Sequence, residues 1–393
     1  MSDERDTKRL IIIDQTIPAP TITTKGIGYV NTSRYRVGGR TKVVWNGHTR
    51  SLRRIDSTDH RTNEDSFNDR KTRNKPPYRI PSMVEIATMP WNGFNVVSTF
   101  SGCGGSCLGY RMAGFRILWA SEFVPSAADN YEANAAPGSV LDRRNIRNVS
   151  AEEVLFECGL RIGELDVLDG SPPCQSFSDV GKRHKGWGVE RRYEGGHRQK
   201  NDDLFGEYVR LLSGLRPKCF VAENVSGMAK GVAKGYFLEM LTALKACGYR
   251  VSCRLLDAQW LGVPQARQRL VFVGVRNDIR DATGRPVAPQ HPFPLSYRYS
   301  IRDAVPWIVD TTHNPRSVVT TTGDRVDPTL VCHPVEQRKF SIIELKRICA
   351  FPDDFVLTGS YSQQWTCLGN AVPPLMMRAI AETIRDEVLG RMA

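Results

Sequence analysis

The sequence predicts an α/β protein built on a doubly wound, mostly parallel sheet, with a second, smaller domain. Five short apolar segments have the length and composition of buried strands, and helical patterns lie between them. Strands that alternate with helices favour a parallel sheet covered on both faces. The predicted strands are 94–100, 115–123, 164–170, 219–225 and 269–275, and the clearest helices are 202–215 and 237–248.

Composition divides the chain into regions. Residues 1 to about 90 are polar and basic, and residues from about 276 to 335 are rich in Pro, Thr and Arg, which predicts a loop-built insertion.

The formal net charge of +12 favours a polyanionic partner, although a solvated basic surface explains it equally well. The cysteines lack paired CxxC spacing, which predicts free thiols and no zinc or other metal site. No segment approaches the length of a membrane span, so the sequence predicts a soluble, intracellular protein.

The segment GSPPCQSFS, from Gly170 to Ser178, places Cys174 directly behind two prolines at the end of a predicted strand. Consecutive prolines fix φ and remove two backbone donors, so the chain leaves the strand in a stiff, extended turn. Such a turn holds the thiol in one direction, as a nucleophile requires. A cysteine that serves only as a small core residue is the alternative.

A glycine-rich turn, FSGCGG, follows the first predicted strand, and Glu122 lies at the end of the second. In a doubly wound sheet such a turn lets the backbone approach a nucleotide-like ligand, and a carboxylate at the next strand end can accept from both ribose hydroxyls. A simple tight turn and a surface glutamate are the alternatives. The spacing Gly102-x-Gly104-Gly105 is not the dinucleotide form G-x-G-x-x-G. S-adenosylmethionine, which carries adenosine without phosphate, therefore fits better than NAD.

Three further polar residues follow later strands. Glu223, in AENV, lies at the expected carboxyl edge of the sheet, where burial in apolar surroundings would disfavour its charged form and allow it to hold a proton. A structural role with Asn224 at the start of the next helix is the alternative. Arg267 and Arg269, in QARQRL, alternate on one face of a strand-like segment and suit a phosphate or a base carbonyl, or an ordinary surface salt bridge.

The order of these segments resembles that of the DNA (cytosine-5)-methyltransferases of bacterial and phage type. The resemblance runs from about Phe94 to the C-terminus and rests on FSGCGG, GSPPCQSFS, AENV, QARQR, FPDDF at 351–355 and LGNAVPP at 368–374. It implies a Rossmann-like, S-adenosylmethionine-dependent catalytic domain over 91–275 that is completed by 362–393. It also implies a small target-recognition domain over 276–361, with a basic N-terminal extension over 1–90.

The resemblance implies a covalent mechanism. Cys174 would add to C6 of a cytosine, Glu223 would protonate or hydrogen-bond N3, and Arg269 would hold the O2 edge. Arg267 or Arg269 would be the cation that activates the thiol.

The resemblance also assigns the cofactor site. The implied cofactor-binding residues are Phe100, Gly102, Cys103, Gly104, Gly105, Glu122, Asn145, Ile146, Leu204 and Asn370. Asn145 departs from the family pattern, which usually has an Asp against the adenine amine, although an amide oxygen can still accept from that amine. Asn201, Asp202 and Leu204-Phe205 match the next family segment, where an apolar side chain packs on adenine; core packing is the alternative.

The implied partner is double-stranded DNA from which the target cytosine is flipped. The enzyme would be a monomer in the prokaryotic cytoplasm, associated with the nucleoid and not with a membrane. It would act in or beside a restriction-modification system that can include a cognate endonuclease. The alternatives are a tRNA cytosine-5 methyltransferase, an inactive relative that only binds DNA or a partner protein, and an NAD-dependent Rossmann enzyme.

The N-terminal region contains echoes of the C-terminal one. PAPTITT and YRIPSMVEIATMP, within residues 18–90, resemble VVTTTGDRVDPTL and KFSIIELKRICAFP, within residues 318–352. We hypothesise that the extension is a degenerate copy of small-domain elements and completes the DNA-binding cleft. A basic tail with chance similarity is the alternative.

Overall fold

The computed structural model describes residues 75–173, 204–229, 233–307 and 339–392. It also describes the backbone of short strand segments at 21–23, 26–28, 34–37, 40–45, 48–51, 191–192 and 198–199. The strand segments form small antiparallel sheets, and the four long ranges form the fold that positions the site.

Seven strands of the long ranges form one mixed sheet. They are β1 (Asn95–Thr99), β2 (Arg116–Ser121), β3 (Val140–Asp142), β4 (Val167–Gly170), β5 (Cys219–Val225), β6 (Tyr249–Asp257) and β7 (Gln268–Arg276). The order is β6-β7-β5-β4-β1-β2-β3, and only β7 runs antiparallel to its neighbours. The predicted mostly parallel sheet is confirmed.

The sequence pattern did not predict β3 and β6. Both lie at an edge of this sheet, so each pairs on one side only. Most side chains of β6 are half-buried or exposed, and two of them are arginines, so the strand lacks the continuous apolar run that marked the central strands.

Helices cover both faces of the sheet, and side chains of β5 alternate between the two resulting cores. Phe220 joins the core beneath helices α4, α5 and α6, and Val221 joins the opposite core with helices α2 and α10. The helices are α1 (Met83–Ala87), α2 (Gly105–Met112), α3 (Pro125–Glu132), α4 (Ala151–Cys158), α5 (Leu204–Leu215), α6 (Ala233–Ala246), α7 (Ile301–Ala304), α8 (Ile342–Ile348), α9 (Tyr361–Asn370) and α10 (Pro374–Glu387). In the described ranges, none of these helices combines the length and the apolar composition needed to cross a membrane.

A third apolar cluster lies beside the sheet and is built from α1, α7, α8 and α9, with one side of α2. Ile86 of α1 and Leu345 of α8 are both buried in it. Each of these two helices begins with a serine capping box, from Ser82 to Glu85 and from Ser341 to Glu344. The segment before the sheet therefore packs with residues that follow the sheet in the chain.

Candidate active site

The glycine-rich turn after β1 has the conformation that a close ligand approach requires. Phe100 and Gly102 have positive φ values of 54° and 56°, and a Cβ placed on Gly102 would meet nothing within 4 Å. A Cβ on Gly105 would lie 2.3 Å from the carbonyl oxygen of Val372. The turn is thus open on one side and packed against the C-terminal segment on the other.

Glu122 is tied to this turn by its carboxylate. The backbone N–H of Gly102 donates to one oxygen at 3.0 Å, and the N–H of Val124 donates to the other at 2.8 Å. Burial raises the pKa of Glu122, although the backbone hydrogen bonds oppose that rise. Each oxygen keeps a second lone pair, so the carboxylate can also accept from the two hydroxyls of a ribose.

The residues expected around adenine lie close to the turn. Ile146 and Leu204 share one apolar cluster, and the half-buried Phe100 packs against it. Leu204 is only 1% exposed, which favours the core-packing alternative for that side chain. The amide oxygen of Asn145 accepts from the N–H of Arg147 at 3.1 Å and caps a short 3₁₀ helix. Asn201 and Asp202 lie outside the described residues.

Cys174 also lies outside the described residues, but the structure describes the chain up to Pro173, one peptide bond away. β4 leads into this segment and pairs in parallel with β5, with Gly170 opposite Ala222. The side-chain amide of Asn224 donates to the carbonyl of Pro172 at 3.2 Å. The described part of this segment therefore ends next to the carboxyl end of β5.

Glu223 and Arg269 form a buried ion pair at this sheet edge. The Arg269 Nε lies 2.6 Å from the Glu223 Oε1, and their side chains are 12% and 10% exposed. The surroundings of Glu223 are therefore not purely apolar, because a guanidinium from the adjacent β7 lies against its carboxyl group. Long-range pairing placed Arg269 there, since Val225 of β5 lies opposite it in the register.

Arg267 points toward the C-terminal segment. Its guanidinium is buried and donates to the carbonyl oxygens of Gly369, at 2.9 Å, and Asn370, at 3.3 Å. Burial lowers the pKa of Arg267 to about 9, and the nearby Arg269 contributes to that lowering. These contacts give Arg267 a positioning role toward Asn370, the exposed last residue of α9. Activation of Cys174 by Arg267 or Arg269 stays a prediction.

Two residues of this edge were missed by the sequence reasoning. Asn224 was considered only as a partner of Glu223 at the start of a helix, whereas it holds the segment that leads to Cys174. Asp169 was predicted only as one residue of a buried strand. The residue is 2% exposed, and its carboxylate accepts hydrogen bonds from Ser98 and Ser106, on either side of the glycine-rich turn. A carboxylate inside an apolar run at a strand end was the available signal for Asp169.

Comparison with known proteins agrees with this geometry. The sequence matches the family C-5 cytosine-specific DNA methylase over residues 94–294 and 295–386. Type II methyltransferase M1.HphI of Haemophilus parahaemolyticus is 30% identical over 335 residues, which are 73% of this chain and 86% of the relative. Type II methyltransferase M.BsuFI of Bacillus subtilis is 30% identical over 319 residues, which are 75% and 73% of the two chains.

Solved structures show the same fold. A candidate DNA modification methyltransferase encoded within an E. coli prophage superposes with a TM-score of 0.57 at 21% identity, covering 76% of this chain and all of that one. The methyltransferase EhMeth of Entamoeba histolytica superposes with a TM-score of 0.53 at 17% identity, covering 75% and 98% of the two chains. At these identities the likeness establishes the fold, and the sequence match over most of the chain establishes the family. The chain belongs to the C-5 cytosine-specific DNA methylase family.

Proposed function

We propose that this DNA (cytosine-5-)-methyltransferase methylates a cytosine within a specific duplex sequence through a transient bond between Cys174 and C6 of the flipped base. The observation that carries this proposal is the Glu223–Arg269 pair, which lies at the strand end beside the segment that leads to Cys174. A carboxylate and a guanidinium held together can bind the N3 and O2 edge of one cytosine.

The chemistry follows from these groups. The Cys174 thiolate adds to C6 and forms a C–S bond, while the displaced electron pair makes C5 nucleophilic. Glu223 donates to or protonates N3, and Arg269 stabilises the charge that develops at O2. After C5 is methylated, its proton leaves to water, and elimination of Cys174 breaks the C–S bond and restores the ring.

The described residues fit S-adenosylmethionine. When bound, it supplies the methyl group that C5 acquires. The open side of the turn at Gly102 leaves room for the ligand to approach the protein backbone. The carboxylate of Glu122 is positioned to accept hydrogen bonds from the hydroxyl groups of a ribose. Arg267 holds the backbone at Asn370, which supports the proposal that Asn370 would lie near the methionine end of the cofactor.

The proposed domain organisation assigns 91–275 with 362–393 to catalysis and 276–361 to target recognition, with the extension 1–90 attached to the latter. Contacts of the segment before β1 support this attachment. Lys75 pairs with Asp303 at 2.7 Å, and the N–H of Met83 donates to the Asp354 carboxylate at 2.9 Å. The Tyr78 hydroxyl donates to a backbone carbonyl at the end of α8, at 2.9 Å.

We further propose that the extension binds DNA phosphates beside the recognition domain. Residues 15–55 contain eight Lys and Arg and no Asp or Glu. Deleting residues 1–74 keeps the contacts of Lys75, Tyr78 and Met83 and should reduce the dependence of DNA affinity on salt concentration. An unchanged salt slope would show that the extension does not contact DNA.

We propose a monomeric enzyme that acts in the prokaryotic cytoplasm in or beside a restriction-modification system. The type II names of the relatives support that context, and a cognate endonuclease encoded nearby would complete it.

The decisive experiment is bisulfite sequencing of DNA from cells that express the protein, with Cys174→Ser as the inactive control. We expect protected cytosines within one sequence motif for the wild type and none for the variant. A duplex with 5-fluorocytosine at that motif should trap the wild type covalently in the presence of S-adenosylmethionine. Methyl transfer to bulk tRNA but not to DNA would overturn the DNA assignment in favour of the tRNA alternative.

A further inference from the structure

Asp169 is a buried carboxylate for which the proposed reaction has no use. It lies in β4, is 2% exposed, and precedes Cys174 by five residues. Its Oδ2 accepts from the hydroxyl of Ser98 at 3.0 Å and from that of Ser106 at 2.7 Å. Ser98 is the last but one residue of β1 and Ser106 is the second residue of α2, so the two donors flank the glycine-rich turn on either side.

The hydrogen bonds continue into the turn itself. The hydroxyl of Ser101 donates to the hydroxyl oxygen of Ser98 at 3.1 Å, and Ser101 lies between Phe100 and Gly102. The carboxylate is thus connected through Ser98 to Ser101 in the turn that would face the cofactor. The N-terminus of helix α2 has no side-chain cap, and Ser106 lies in its first turn. The positive end of the helix dipole therefore also favours a negative charge on the carboxylate that Ser106 contacts.

The other titratable groups around Asp169 are of two kinds. The thiol and the phenols keep their protons near neutral pH, and the remaining group is a carboxyl that cannot neutralise the charge of Asp169. Burial raises the pKa of Cys107 on α2 to about 11 and raises the pKa values of Tyr110 on α2 and Tyr208 on α5 well above their ordinary range. Glu223 on β5 is a second carboxyl group, which adds to the rise in the pKa of Asp169, and it is paired with Arg269. Among the described residues, no lysine or arginine forms an ion pair with Asp169.

We infer that the Asp169 carboxylate is a buried counter-charge that makes the cofactor pocket prefer the positively charged sulfonium donor over its neutral thioether product. The two ligands, S-adenosylmethionine and S-adenosylhomocysteine, differ in one methyl group and one positive charge at sulfur. A negative charge behind the turn stabilises only the first of them, and the buried setting weakens the attraction less than water would. Product release is then favoured by the loss of charge that accompanies methyl transfer.

Proton linkage gives this inference a signature that does not depend on turnover. Burial raises the pKa of Asp169 to about 6, so the carboxyl is partly protonated at that pH. A cation bound nearby favours the ionised form and must release a fraction of a proton, whereas a neutral thioether releases none by this route. Glu122 contributes to proton release in the same direction, so a variant of Asp169 is needed to separate the two carboxyls.

The test is isothermal titration calorimetry of the full-length protein with each ligand, at pH 6 and pH 8, in buffers of different ionisation enthalpy. At pH 6 the wild type should release more protons with the sulfonium ligand than with the thioether, and Asp169→Asn should lose most of that excess. At pH 8 the ratio of the affinity for the sulfonium ligand to the affinity for the thioether should be about tenfold lower in the variant than in the wild type. Equal proton release for both ligands in the wild type, or an unchanged preference in the variant, would overturn the inference.

Asp166→Asn is the matched control. Asp166 is also buried, but it lies at the opposite end of the same strand and pairs with Lys218 at 2.6 Å. Its substitution should leave the ratio of the two ligand affinities unchanged. If Asp169→Asn does not fold, Asp169→Ser takes its place in the same titration, and an excess proton release at pH 6 that Asp169→Ser retains would overturn the inference. The inference rests on S-adenosylmethionine being the methyl donor, and the same titration tests that assignment separately. If neither ligand binds, the proposed cofactor is wrong. If both bind without the expected difference, the counter-charge is wrong.

Discussion

Replacing Gly109 by alanine tests the close contact between α2, which follows the cofactor turn, and the C-terminal helix α10. A Cβ on Gly109 would lie 2.6 Å from the Cβ of Met377, 2.6 Å from the carbonyl oxygen of Pro374 and 2.8 Å from the backbone nitrogen of Arg378. Ordinary contacts between heavy atoms begin at about 3.5 Å, so α10 would have to move by roughly 1 Å. Two of the three atoms belong to backbone and cannot rotate away.

The magnitude follows from two opposing terms. Overpacking in a well-packed core typically costs about 1–3 kcal/mol, and the backbone contacts place Gly109 near the top of that range. Alanine gains about 0.5–1 kcal/mol over glycine inside a helix. We therefore expect the free energy of unfolding to fall by about 2 kcal/mol. Because the turn before α10 touches Gly105, KM for S-adenosylmethionine should rise as well.

Gly206→Ala is the matched control, since Gly206 lies on α5, is exposed, and a Cβ there would meet nothing within 4 Å. Thermal unfolding of the two variants should give opposite signs. For a protein of 393 residues, Gly109→Ala should lower Tm by about 2–3 °C and Gly206→Ala should leave Tm unchanged or raise it by about 1 °C. Equal shifts in one direction would refute the assigned packing of α2 against α10.

Three further predictions concern charge and capping. Asp169→Asn should stabilise the protein relative to wild type by an amount that grows by about 2 kcal/mol between pH 4 and pH 7, because burial raises the pKa from 3.8 to about 6 and the ionised form is disfavoured only in the folded state; urea unfolding at both pH values checks this, and a constant difference contradicts it. Arg267→Met should raise KM for S-adenosylmethionine about tenfold with little change in the Kd for DNA, since the lost hydrogen bonds hold the backbone at Asn370 and charged hydrogen bonds are worth about 1.5–3 kcal/mol; steady-state kinetics and a DNA-binding titration separate the two constants. Ser82→Ala and Ser341→Ala should each lower the free energy of unfolding by about 1 kcal/mol, because each removes the capping box of a helix in the third apolar cluster. An unchanged melting curve for Ser82→Ala alone would contradict the packing of α1 in that cluster.

The central strands and the chemical motifs were predictable because their signals are local. A strand buried on both faces needs a continuous apolar run, and the predicted strand 219–225 agrees with β5 at both ends. Glu122 was predicted from its place after β2 alone, and the structure brings it to the glycine-rich turn. The edge strands β3 and β6 gave no such signal, because one-sided pairing and partial exposure permit polar residues.

The sequence by itself determined which residue types stand at the strand ends and in which order, and hence the family and the chemistry proposed for these residues. Only the tertiary structure decided which of them meet. Arg269 lies beside Glu223 because β7 returns antiparallel to β5, and Arg267 reaches carbonyls more than 100 positions further along the chain. Asp169 acquires its surroundings in the same way, from serines on two other elements. Burial and charge pairing depend on contacts between distant segments, and no local pattern of residues encodes those contacts.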